Sequence, residues 1–355
     1  MSSSVGRQPS RPTCVARLLA LIVAVALLVG ACGSEGPQAR PSPVASATGP
    51  STDAKPPSLG GGGARLGPGL VPDSGVLVGA SVQAEGPGDA ARLAAVEDFE
   101  AAVGRRLDLV HTYLPFDREF PSGSDAELLK SSRELLVSWN GMDMARVAAG
   151  ADDTLIRSRA RAMRDAGNPL WLMFRGEMDR PNLRATVPTP ELYVQAYRHV
   201  RDLFREEGAN QVSWVWCPTS KGFDEGRAAA YYPGDGQVDW LCSDIYPGPN
   251  RVSFDQAAQK FLDFARAHPQ PVMIGEFGIS EGSGDRAAWL AGVASTVRAQ
   301  PQIKALSYFN GNNDQKGQAA QLSLLSSPAA LRAFHELLAD PHFNPAGWPL
   351  QEPRG

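Results

Sequence analysis

The sequence has few of the residues on which metal, redox and triad chemistry depend. Only 5 histidines and 4 cysteines occur in 355 residues, and no His/Cys set falls at zinc-ligand spacing. No P-loop, Ser-His-Asp or redox motif is present, so no cofactor and no metal are expected. The formal net charge is −4, and no basic cluster interrupts it, which argues against nucleic acid as a partner. Long apolar runs are scarce too. The one conspicuous run, "LLALIVAVALLVGAC", lies close to the N-terminus.

That run follows Arg7, Arg11 and Arg17, and no acidic residue precedes Glu35. A basic start and a short apolar stretch define a secretory signal peptide, expected over 1–31, rather than a membrane span. Its end, Val29-Gly30-Ala31-Cys32, resembles the lipobox of bacterial lipoproteins, which implies lipidation of Cys32 and anchoring to the outer face of the cell membrane. Residues 32–75 are dominated by Gly, Pro, Ser and Ala and read as a flexible tether. Cys14 leaves with the signal peptide, so Cys217 and Cys242 remain in a disulfide-permissive compartment. They lie near the ends of two successive candidate strands, and whether they bridge is left open because disulfide geometry is demanding.

The remainder, 76–350, has the size of one large α/β domain, and a monomer is expected. Short β-rich runs are expected as strands at 76–82, 107–113, 135–139, 170–175, 212–216, 238–244, 271–277 and 303–309. Helical patterns fill 89–104, 153–167, 189–208, 253–268, 285–300 and 327–340. Helix ends support these spans: Thr189 precedes Pro190, and Gly208 closes the same segment. Eight strand-helix alternations point to a parallel (β/α)8 TIM barrel. An open doubly wound sheet is the rival, and no G-x-G-x-x-G turn follows the first strand to favour it.

Active sites of such barrels sit at the C-terminal ends of the strands. There the chain places His111 and Tyr113, Trp139 and Asn140, Arg175 and Glu177, Asp244 and Tyr246, Glu276, and Tyr308 and Asn310, with Trp214 and Trp216 on the fifth strand. Two apolar runs, "PLWLMFRGEM" and "PVMIGEFGIS", end on carboxylates, groups that are costly to bury as charges. Period-two alternation is expected to put Trp171, Met173, Arg175 and Glu177 on one side of their strand, and Val272 and Ile274 with Glu276 on theirs.

Three stretches, "FRGEM" around Glu177, "YYPGDGQVDWLCSDIY" at 231–246 and "PVMIGEFG" around Glu276, resemble glycoside hydrolase family 26, a family of β-mannanases with some β-xylanases and β-glucanases. The resemblance implies a retaining glycosidase with Glu177 as general acid/base, Glu276 as nucleophile and Tyr246 hydrogen-bonded to the nucleophile. It also implies a polysaccharide substrate, β-mannan first and another β-glycan second. Such an enzyme needs two carboxyl groups roughly 5–5.5 Å apart with separated pKa values; Arg175 and Tyr246 are candidates for setting them apart. The chain departs from the family pattern at Met173 and Gly176, where mannanases usually carry arginine and histidine. It departs again in "MDRPNL" after the acid/base and in "SYFNGNND", which has no tryptophan.

The remaining candidates are supporting ones. His111 is expected as a sugar contact or a structural hydrogen bond, Trp139 as a stacking platform or a packing residue, and Trp214 and Trp216 as packing first and platform second. Asp244 and Tyr308 complete the expected substrate-binding set. The alternatives to an enzyme are a non-catalytic glycan-binding lipoprotein on a degenerate barrel and a tethered scaffold for protein partners, which would show an exposed apolar patch.

Overall fold

The computed structural model describes residues 68–352, apart from Pro249, Arg251, Glu281 and 315–318. The signal segment 1–31, Cys32 and most of the 32–75 tether lie outside the described residues. In chain order the main elements are β1 (Leu77–Val82), α1 (Asp89–Val103), β2 (Leu109–Pro115), α2 (Ser124–Leu129), β3 (Glu134–Asn140), α3 (Met144–Ala148), α4 (Asp153–Ala166) and β4 (Leu170–Phe174). They continue with α5 (Pro190–Glu206), β5 (Val212–Trp216), α6 (Ser220–Asp224), β6 (Trp240–Ile245), α7 (Phe254–Ala265), β7 (Val272–Phe277), α8 (Arg286–Ala299), β8 (Ile303–Asn310) and α9 (Pro328–Ala339).

The eight strands close in sequence order into a parallel barrel, with β1 pairing β8 from Leu77↔Ala305 to Val82↔Asn310. This is the (β/α)8 architecture expected from the alternation of short apolar runs with helical segments. The strands are apolar along their whole length because both faces are covered. Leu77, Leu109, Leu136, Trp171, Met173, Val215, Trp240, Cys242 and Met273 pack together inside the barrel. Their strand neighbours, among them Val78, Val137, Leu172, Trp214, Leu241 and Ile274, pack with the helices. Helix ends follow local chemistry: the Thr189 hydroxyl accepts the Leu192 N–H at 3.3 Å, and Pro190 sits in the first turn of α5.

The chain joins the barrel before residue 76. Leu70 is buried in the interior cluster with Leu77, Leu109 and Trp171, and the Trp240 indole N–H donates to the Gly69 carbonyl at 2.6 Å. The segment around Gly69 and Leu70 therefore closes the end of the barrel at which the strands begin, opposite to the mouth where they deliver polar residues.

Gly79 in β1 marks the tightest strand contact, since a Cβ there would lie 2.1 Å from the Leu109 carbonyl oxygen and 2.4 Å from its Cγ. No rotamer change relieves a clash with backbone. Gly79→Ala is expected to lower unfolding stability by about 3 kcal/mol or more, measured as a drop in the denaturant midpoint relative to the parent.

Candidate active site

The first carboxylate is delivered by an irregularity. In β7, Ile274 pairs with Ser243 and Glu276 with the next residue, Asp244, so Gly275 is an extra residue at a bulge. In a regular strand of the same sequence Glu276 would share the side of Val272 and Ile274, which pack towards the helices; the period-two expectation for this strand is thus corrected at Gly275. The bulge turns Glu276 into the mouth of the barrel, as bulges near functional sites do. Only glycine fits the extra position, because a Cβ would meet Cys242 Sγ at 2.5 Å, Asp244 Oδ1 at 2.8 Å and Cys217 Sγ at 2.9 Å.

Two phenols hold the Glu276 carboxylate: Tyr113 Oη donates to Oε1 at 2.7 Å and Tyr246 Oη to Oε2 at 2.8 Å. Tyr246 stands where the sequence put it. Tyr113 was visible as a strand-end residue of β2, but its role was not. Burial, and then the neighbouring Glu177, push the Glu276 carboxyl up to about 7, and the two tyrosines and Arg180 hold it down against them.

The second carboxylate sits in a turn, not on a strand. β4 ends at Phe174, and Arg175 and Glu177 both take left-handed backbone, φ 52° and 53°. The expected alternation therefore stops at Met173, and Glu177 owes its position to the turn. Such backbone costs about 1–3 kcal/mol per non-glycine residue and persists only where surrounding contacts impose it. Here they do. Arg175 N–H donates to Trp139 O at 2.9 Å and Glu177 N–H to Cys217 O at 2.8 Å. Asp179, buried, accepts the Thr219 N–H at 2.9 Å and its hydroxyl at 2.6 Å. Gly176 in the same turn has a Met173 sulfur 2.6 Å from where its Cβ would be, so the two departures from the family pattern occupy one space.

The cation beside Glu177 is Arg180, whose guanidinium pairs with Oε2; Arg175, the expected neighbour, makes no such pair. Both carboxylates, Arg175, Arg180, Tyr113, Asn140 and Asp244 line one cleft of about 260 Å³. Asp244 is buried, and burial followed by the charges of Glu276 and Glu177 raises its pKa well above the usual carboxylate range, favouring the neutral acid. Cys217 and Cys242 are joined by a disulfide beneath the bulge, which ties the loop after β5 to β6.

Five candidate residues lie elsewhere. His111 is buried behind Tyr113, with ring centroids 4.6 Å apart and Nε2 2.7 Å from Ser138 Oγ, and burial pushes its pKa down to about 3; it is the structural alternative of the two expected. Trp139 is fully buried among Phe116, Phe174 and Phe204. Trp216, also fully buried, packs on Phe223, Tyr232 and Phe264, and Trp214 packs on Tyr197 and Phe204. Tyr308 is fully buried and donates to Leu322 O at 2.6 Å. The three tryptophans and Tyr308 point to the helix layer, and His111 lies inside the barrel beneath the Tyr113 ring, so none stacks on a ligand in the cleft. Arg180, Asn182 and Ser138, which do line it, were missed; Arg180 lies inside "MDRPNL", noted only as a departure.

A parallel eight-stranded barrel whose mouth gathers two carboxylates, one clamped by tyrosines, has the layout of a glycoside hydrolase. Residues 171–297 match the family described as Glycosyl hydrolase family 26. Endoglucanase H of Acetivibrio thermocellus is 27% identical over 293 residues, covering 77% of this chain and 31% of that protein, so the chain spans about a third of that relative's length. Among solved structures, the catalytic domain of an endo-β-1,4-mannanase from Bacillus sp. JAMB-750 superposes with a TM-score of 0.60 at 14% identity, over 76% of this chain and 87% of that one. A β-mannanase from Bacteroides ovatus gives 0.57 at 16%, over 80% and 95%. The structural likeness establishes the fold, and together with the family match it supports a glycosidase.

Because the folded-state value of Glu276, about 7, lies above its ordinary 4.5, the folded protein binds the extra proton between those values. The contribution of this group to stability is full below about pH 4.5 and is lost as pH rises through about 7. Glu276→Gln is therefore expected to melt higher than the parent at pH 8, by on the order of a few degrees, and equally at pH 4, by calorimetry. Tyr113→Phe and Tyr246→Phe each remove a donor to the charged carboxylate, a bond of about 1.5–3 kcal/mol. Each is expected to raise the Glu276 midpoint by about 1–2 units, read by carboxyl-carbon NMR titration.

Proposed function

We propose that this protein is a retaining glycosidase that cleaves β-linked polysaccharide. Glu177 protonates the glycosidic oxygen as Glu276 attacks the anomeric carbon. Glu177 then takes a proton from the water that releases the sugar from Glu276. The observation that carries this reading is the Glu276 carboxylate, held on both oxygens by Tyr113 and Tyr246 in the cleft that Glu177 also lines. A nucleophile must be charged and fixed in direction, and two phenol donors supply both. The Arg180 guanidinium on Glu177 is a cation that a substrate's leaving group would approach.

The endoglucanase relative and the endo-β-1,4-mannanase fold neighbours make glucan and β-1,4-linked mannan the reference substrates. The basic, apolar N-terminal segment ending at Cys32 supports delivery across the cytoplasmic membrane and attachment there by lipid. A glycan-binding protein without turnover would hold sugars on exposed aromatic platforms; the cleft lining includes one aromatic, Tyr113, and its hydroxyl is committed to Glu276.

Incubation of the protein with β-mannans, β-glucans, β-xylans and envelope polysaccharides is expected to release reducing ends from at least one of them. Glu276→Ala and Glu177→Ala are each expected to lower kcat by on the order of 10³-fold or more, with binding retained. Equal release by parent and both variants would contradict the assignment of these residues. The parent's activity is expected to rise with pH through about 7 as Glu276 ionises.

A further inference from the structure

We propose that the cleft takes a sugar bearing a carboxylate, a uronosyl unit of a β-glycan, and that Arg175 is the specificity-determining residue that holds this carboxylate. The inference rests on the glycosidase reading above and names the substrate class of the same site.

Arg175 lines the cleft together with Glu177 and Glu276, yet the residue is only 9% exposed. Its guanidinium makes two contacts, to Asn140 Oδ1 and Thr186 Oγ1, both at 3.5 Å, and Nε has no partner. These lie at the outer limit of a hydrogen bond. Among the described residues no carboxylate forms an ion pair with it. The other buried arginines are anchored: Arg105 to Phe343 O, Arg159 to Asp117 O and Arg286 to Ser323 O, each at 2.8 Å. A buried cation held only by two long contacts to neutral oxygens is costly, and at a residue lining the cleft this points to an occupant that supplies the missing carboxylate.

The charges of the cleft define that occupant. Arg180 is paired with Glu177, and both oxygens of Glu276 are taken by Tyr113 and Tyr246, so Arg175 is the cleft cation to which no carboxylate binds directly. Its planar fork matches a carboxylate bidentately, whereas a hydroxymethyl group offers one weak acceptor. A neutral mannan or glucan would fill the cleft and leave the guanidinium without a direct carboxylate partner. A uronosyl unit brings the carboxylate on a short, fixed arm of the same ring.

The test compares matched ligands: β-1,4-linked cello- and manno-oligosaccharides, and the same chains oxidised at C6 to uronic acids. Binding to the full protein and to Glu276→Gln is measured by titration calorimetry, and cleavage by the parent from reducing ends. The expected result is binding of an oxidised chain at least about tenfold tighter than its neutral parent, a preference weakened by salt. It should collapse in Arg175→Gln and recover partly in Arg175→Lys, with melting curves confirming that both fold. Binding and cleavage of neutral chains as well as, or better than, the oxidised ones would overturn this proposal and leave the glycosidase standing. Failure of every chain to bind or be cleaved would overturn both. Should the Arg175 variants not fold, the preference of the parent between matched chains, and its salt dependence, decide the matter alone.

Discussion

The clamp of two phenols on one carboxylate is the interaction around which this mouth is arranged. Glu276 is charged only against burial and against Glu177, and Tyr113 and Tyr246 oppose both by donating to its two oxygens. The clamp needs Glu276 turned inward, which requires the bulge. The bulge needs Gly275, because the disulfide and Asp244 fill the space a side chain would take. His111 backs the Tyr113 ring and stays neutral there. A change at any of these positions reaches the Glu276 carboxylate through packing rather than through the substrate.

The opposite wall of the cleft is built by a different device. After Phe174 the backbone leaves the sheet and passes through two left-handed residues, and Arg175, Glu177 and Arg180 line the cleft from this turn. Contacts from the β3 end and from the loop after β5 hold that turn. The disulfide fixes the same loop after β5 to β6, so one covalent link steadies the backbones that carry both carboxylates. The closed barrel gives each wall a rigid base, and the segment around Leu70 seals its far end.

Most of the fold was legible in the sequence because a barrel strand is a short apolar run with a covered face on each side; all eight expected strands lie within two residues of those observed. The carboxylates were legible because charges terminating such runs are unusual. Of their partners, Tyr246 was legible through the family resemblance, whereas Tyr113 and Arg180 were not. Period-two counting assumes regular strands, and both carboxylates sit where regularity fails, at the Gly275 bulge and in the 175–180 turn. For the aromatic residues at strand ends the sequence leaves platform and packing both open, with packing first for Trp216, and Trp139, Trp216 and Tyr308 in fact face the helices, a side that residue type does not reveal. Gly176 and Met173 looked like two separate losses. Their mutual packing shows one coordinated change of shape.

The most direct measurement is to trap the sugar on the enzyme. The protein is incubated with 2-deoxy-2-fluoro-β-glycosyl fluorides of mannose and glucose and their uronic acids, digested, and the peptides weighed. The expected result is a single glycosyl adduct on the peptide containing Glu276, absent from Glu276→Gln. Turnover of a natural glycan with inversion of the anomeric centre, and no adduct on that peptide, would contradict Glu276 as the nucleophile.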